Sequence, residues 1–131
     1  MSNSYCVCTM PNTYDHYRVH WDNFFETGNE LTFISDVTKD PSFNVGFTYT
    51  EEDVRRNLNF TKELSKMHFW NSVGNRNIVW FYAHFRMLNY YMSNPNHDYY
   101  WFFDDDVRMD NWVEFFKGFE NEDSDFISYF I

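Results

Sequence analysis

Three consecutive aspartates, Asp104-Asp105-Asp106, follow directly on the aromatic run Tyr99-Tyr100-Trp101-Phe102-Phe103. Carboxylates side by side repel one another, and the end of a buried strand is a costly place for them unless a cation or several hydrogen bonds compensate. Mg²⁺ or Mn²⁺ is the economical partner, because such hard ions take oxygen ligands, commonly one or two carboxylates plus the oxygens of a diphosphate. An ion held this way reverses the local sign, so a phosphorylated ligand can bind despite the acidic surroundings. The plainer reading of the triplet is an acidic turn that caps the next element, since Asp favours turns and N-caps.

The other reactive side chains carry less. Cys6 and Cys8 are the only cysteines of the chain. Alternation along an extended segment is expected to point them to opposite faces, poor geometry for a mutual disulfide, and a zinc site needs more soft ligands. They read as reduced thiols, buried or at an edge, of a cytoplasmic protein. His68 lies on the apolar face of a helix without a second histidine at helical spacing, and reads as a packing residue.

The elements that must position the aspartates alternate in type. Tyr5 to Met10 reads as a strand ended by Pro11-Asn12. Tyr17, Trp21, Phe24 and Phe25 place a helix over Tyr14 to Glu26, stopped by Gly28-Asn29. Leu31 to Ser35 is a strand that runs through Asp36 into a long polar loop. Thr50 caps a helix whose first turn is Glu51-Glu52-Asp53 and whose face is Val54, Leu58, Thr61, Leu64 and His68. A further helix spans Asn77 to Met92, with Phe81, Phe85, Leu88 and Met92 as its core stripe. Tyr99 to Phe103 fits a central strand buried on both faces. Asp110 then caps a short helix holding Trp112, Phe115, Phe116 and Phe119, and Phe126 to Ile131 reads as a last strand.

This order predicts one α/β domain over residues 1–131, with a mostly parallel sheet whose ligands sit beyond the C-terminal strand ends. At those ends the chain resembles the GT-A glycosyltransferases. Their hallmark is an apolar strand ending in a DxD motif, here Tyr100-Trp101-Phe102-Phe103-Asp104-Asp105-Asp106-Val107. The resemblance covers most of the chain. It implies a three-layer Rossmann-like donor-binding half, Mn²⁺ or Mg²⁺ as cofactor, a nucleotide-sugar donor, and transfer of its sugar to a glycan or other acceptor. By position, Asp106 resembles the metal-ligating aspartate, and Asp104 the one that meets the donor ribose or a metal-bound water, with Asp105 between them. Asp36 is placed like the carboxylate that reads the base, and Thr9 where the first strand meets the nucleotide. Arg86, in the helix before the DxD strand, is placed to meet a phosphate or to form a surface salt bridge.

The chain departs from the family after the motif. Met109 to Ile131 is too short for an acceptor region with a catalytic base, and it ends while still apolar. The expectation is therefore an incomplete domain that is inactive alone, or a non-catalytic module that binds metal and nucleotide or pairs into a homodimer through uncovered aromatic surface. A phosphatase with an Asp-x-Asp nucleophile fits less well, because Val107-Arg108 follows where a small hydroxylated residue is expected.

Composition sets the outer bounds. The 131 residues include 16 Phe, 10 Tyr and 5 Trp, which exclude a disordered chain. With 20 Asp plus Glu against 10 Lys plus Arg, the net charge of −10 opposes nucleic-acid binding across the surface. No apolar stretch approaches the ~20 residues of a membrane helix, and no secretory leader pattern opens the chain.

Overall fold

The computed structural model describes residues 2–58, 84–124 and 127. The expected strand Phe126 to Ile131, the first part of the helix expected from Asn77, and Thr61, Leu64 and His68 lie outside the described residues.

The strands are β1 (Asn3–Thr9), β2 (Leu31–Asp36), β3 (Phe47–Tyr49) and β4 (Tyr99–Asp104). They form an all-parallel sheet in the order β3-β2-β1-β4. The α-helices are α1 (Tyr14–Tyr17), α2 (Glu51–Asn57), α3 (His84–Ser93) and α4 (Trp112–Lys117), and a 3₁₀ helix, Arg18–Thr27, continues from α1. The protein is thus α/β with a parallel sheet, an arrangement compatible with a Rossmann-like fold. No helix among the described residues is long and apolar enough to cross a membrane.

Side-chain alternation along β1 divides the core. Tyr5 and Val7 face one layer, where Trp21, Phe24 and Trp112 pack against them with Phe103, Phe116 and Trp101 around the margin. Trp21 and Trp112 stack with ring centres 5.0 Å apart, and Phe24 meets Trp112 edge-on at 5.4 Å. Such ring pairs add to the burial of large apolar surfaces. Cys6 and Cys8 face the other layer with Ile34 and Tyr90, beside a second group of Tyr49, Val54, Leu58 and Phe85. The two thiols therefore share a face, correcting the expectation of opposite faces: the strand period is two residues, so positions i and i+2 align. Both are buried and free.

Three further expectations are corrected. The helix expected over Tyr14 to Glu26 is one α-turn followed by the tighter 3₁₀ winding. Near three residues per turn, Trp21 and Phe24 fall on one edge and are both buried. Bonds from Trp21 Nε1 to the Asp105 carbonyl at 2.9 Å and from Asn23 Nδ2 to the Met109 carbonyl at 2.9 Å hold that winding. Next, β4 is not central among the described residues. It pairs with β1 alone and its residues Tyr99 to Phe103 are half-buried, whereas β1 lies between two neighbours and is buried from Ser4 to Thr9. A continuous apolar run does not by itself tell a central strand from a flanking one covered by aromatic side chains. Finally, Asn111 rather than Asp110 caps α4, its side chain accepting from Glu114 N at 3.0 Å.

The other boundaries follow local chemistry. Thr50 and Asp53 form a reciprocal capping box on α2, with bonds of 3.1 and 2.8 Å. Gly28 closes the 3₁₀ helix at φ +73°. Gly46, at φ +65°, brings the loop after β2 back against its strand so closely that a Cβ there would lie 2.3 Å from the Phe33 carbonyl oxygen.

Candidate functional site

Because every strand is parallel, Thr9, Asp36, Tyr49 and Asp104 all arrive at one edge of the sheet. The chain moves outward from β1 through β2 to β3, then returns to place β4 on the other side of β1. The reversal point is the gap between β1 and β4, where open parallel sheets form the crevice that receives ligands. Thr9 stands on one side of this gap and the aspartate triplet on the other, with Cys8 opposite Asp104 in register.

The aspartates have three different environments. Asp105 turns toward the chain's first crossover, and its Oδ2 accepts from Thr9 Oγ1 and from Thr13 Oγ1, both at 2.8 Å. Its backbone is engaged as well, the N–H donating to the Cys8 carbonyl at 3.1 Å and the carbonyl accepting from Trp21 Nε1. Asp105 and Thr9, both singled out by position as substrate contacts, are thus bonded to each other. Thr13 and Trp21 complete this anchorage and escaped the sequence reading. Thr13, just before a helix, was its only visible signal.

Asp104 points to the opposite face of the sheet. Its Oδ1 accepts from an Arg86 Nη at 3.1 Å. Arg86 comes from α3, whose Phe85 and Tyr90 are buried against the same sheet face. The pair is unequal, with the Arg86 side chain 18% exposed and that of Asp104 67% exposed. The salt bridge anticipated for Arg86 is present, and its partner is the motif itself. Asp106 is exposed, and its side chain makes no hydrogen bond or ion pair among the described residues.

Asp36 sits one strand further out. Its Oδ1 accepts from the backbone N–H and the hydroxyl of Thr38, at 2.9 and 2.5 Å, and the Thr38 hydroxyl in turn accepts from Glu51 N at 2.8 Å. This relay fastens the end of β2 to the start of α2. Asp36 is therefore on the same sheet edge as the triplet, but not gathered against it.

Charge and burial set the tone of the crevice floor. Burial pushes the Cys8 thiol up to about 12, opposed by the Arg86 charge and reinforced by Asp104. Tyr49 is also pushed upward, by burial first, with Arg86 again opposing. The Arg86 guanidinium thus makes itself felt at the ends of both β1 and β3. Among the described residues no group of three or more His, Cys, Asp or Glu side chains converges as a self-sufficient metal cage. A cleft of about 300 Å³ between the 3₁₀ helix and β2, lined by Tyr14, Trp21 and Phe33 among others, includes no residue of the acidic turn.

No protein family, curated protein or solved structure matches this chain.

Proposed function

We propose that the chain binds a nucleoside diphosphate sugar in the β1–β4 crevice through Mn²⁺ or Mg²⁺, as the donor-binding unit of a GT-A-like glycosyltransferase of three-layer Rossmann-like fold. The observation that carries this reading is the position of the Asp104–Asp106 turn beside the end of β1, at the reversal point of a β3-β2-β1-β4 parallel sheet. The donor set fits a hard cation shared with a ligand: Asp104 and Asp106 offer exposed carboxylates, and such ions are commonly held by one or two carboxylates plus phosphate oxygens. When bound, the cation would neutralise the charge that develops on a departing diphosphate.

The chain's own residues prepare that event. Asp105, tied to Thr9, Thr13 and Trp21, fixes the turn so that its neighbours project from it. Arg86 supplies a positive charge beside Asp104 at the end of β4. Asp36 and Thr9 are proposed to face the nucleoside side of the donor. The acceptor, a glycan or another nucleophile, would approach from the open end of the crevice. Cytoplasmic residence belongs to the same proposal, supported by the two free thiols.

A second reading, a non-catalytic α/β module, is favoured by the internal engagement of Asp104 and Asp105. Calorimetric titration of the chain with nucleoside diphosphates, with Mn²⁺ and then with chelator, separates the two. Nucleotide binding that requires the metal supports the donor site. Absence of binding in both conditions would reject it.

A further inference from the structure

The Arg86 side chain ends in a guanidinium cation, yet it is only 18% exposed. A buried cation needs an anion and a full set of acceptors. Among the described residues the anion is Asp104, reached through one Nη nitrogen at 3.1 Å, while the Arg86 Nε is buried without a hydrogen-bond partner. A guanidinium is built to grip a carboxylate or phosphate through two parallel bonds. Here one prong of that fork is unmet.

Asp104 has much less at stake. Its side chain is 67% exposed, so water replaces Arg86 at little cost if the pair opens. The guanidinium reaches the edge of the crevice through Asp104, which stands opposite Cys8 where β4 and β1 end. A tetrahedral anion entering from above would offer the several oxygens that Asp104 does not.

We propose that Asp104 holds Arg86 in place of a phosphate, and that a diphosphate entering the crevice displaces it, taking the guanidinium through two bonds and releasing Asp104 to share a divalent cation with Asp106. The proposal rests on the donor reading for the class of ligand and deepens it by naming the group that the ligand meets first. It gives the unliganded site an internal counter-charge. It also predicts effects of opposite sign for the two partners of one ion pair, which a site that holds anions only through metal does not produce.

The full chain is titrated calorimetrically with inorganic pyrophosphate, and separately with a nucleoside diphosphate, in chelator and then with Mn²⁺. Urea unfolding of each variant establishes that it is folded. In chelator, Asp104→Asn is expected to bind pyrophosphate about threefold more tightly than the unaltered chain, because the competing carboxylate is gone. Arg86→Gln is expected to bind it about tenfold more weakly. The nucleoside diphosphate should rank the variants in the same order. Asp104→Ser provides the same comparison where Asp104→Asn does not fold. An Asp104 variant that folds normally and binds pyrophosphate no better in chelator overturns the exchange. If Mn²⁺-dependent nucleotide binding then persists in the unaltered chain, the donor reading survives that result. Conversely, tighter metal-free binding by Asp104→Asn without any Mn²⁺ effect on the nucleotide upholds the exchange at Arg86 but overturns both the release of Asp104 to a cation and the donor reading.

Discussion

Thr9 and Asp105 are joined hydroxyl to carboxylate at 2.8 Å across the gap between β1 and β4, although 96 residues separate them in the chain. With Thr13 donating to the same oxygen, the middle aspartate of the triplet becomes a fastening between the first strand, the first helix and the acidic turn. Its neighbours, Asp104 and Asp106, are exposed: Asp104 pairs with Arg86, and Asp106 makes no side-chain bond among the described residues.

Asp105→Ala should therefore destabilise the protein by about 1–3 kcal/mol, the cost of leaving buried donors without their acceptor. Urea unfolding measures this directly. Thr9→Val and Thr13→Val should each cost less, and combining either with Asp105→Ala should add little, because they share one bonding partner.

Asp106→Asn is expected to leave stability within about 0.5 kcal/mol of the unaltered chain, as befits an exposed side chain with no bond among the described residues. Its effect should appear in ligand binding. The gain in nucleoside diphosphate affinity on adding Mn²⁺ should fall about tenfold or more, as read by calorimetry. An unchanged gain would remove Asp106 from the proposed metal site.

The raised Cys8 thiol gives a pH signature. In the unfolded chain it releases its proton near its ordinary value of 9.0, while in the folded chain it retains it to about 12. Between those values the unfolded state binds fewer protons, so stability must fall as pH rises through this window and be unaffected by this thiol below it. Cys6 and Tyr49, also raised by burial, act in the same direction. Urea midpoints measured from pH 7 to pH 10.5 should decline above pH 9, and Cys8→Ala should make the decline shallower. A flat profile would contradict the burial of these groups.

Thr50→Ala removes one half of the capping box on α2 and should cost about 1 kcal/mol. The same box holds the Asp53 carboxyl below its usual range, the Thr50 backbone N–H being the first cause and the Arg56 guanidinium an additional one. That contribution is present above the ordinary carboxyl range and is lost as pH falls through the lowered value. Amide exchange in the first turn of α2 should quicken in Thr50→Ala well before global unfolding does.

How far these features could be read in advance depends on the range of the interaction involved. The Thr50 cap, the Gly28 stop and the strands at Tyr5, Leu31 and Tyr99 are written in neighbouring residues, and the structure places them where local chemistry points. The position of β4 beside β1 is a matter of pairing between distant segments, which periodicity does not encode. The 3₁₀ winding of Arg18–Thr27 is likewise imposed from outside, by bonds from Trp21 and Asn23 to the Asp105–Asp110 region. The triplet was visible as a chemical oddity because like charges rarely adjoin an aromatic run. The division of labour within it was not visible, since Thr13, Trp21 and Arg86 reach it only in three dimensions.

The all-parallel sheet has a consequence for how the protein comes into being. β1 precedes β4 in the chain, and among the described residues one of its edges is completed by β4, whose first residues pair with Asn3 and Ser4. A nascent chain must therefore carry the unfinished edge of β1, with Val7 and its neighbours poorly covered, until the residues through β4 have been synthesised. Closure of so long a loop is slow, and an open strand edge invites pairing with other chains. The yield of native protein should depend on temperature and on chaperone supply during synthesis more than on the stability of the finished fold.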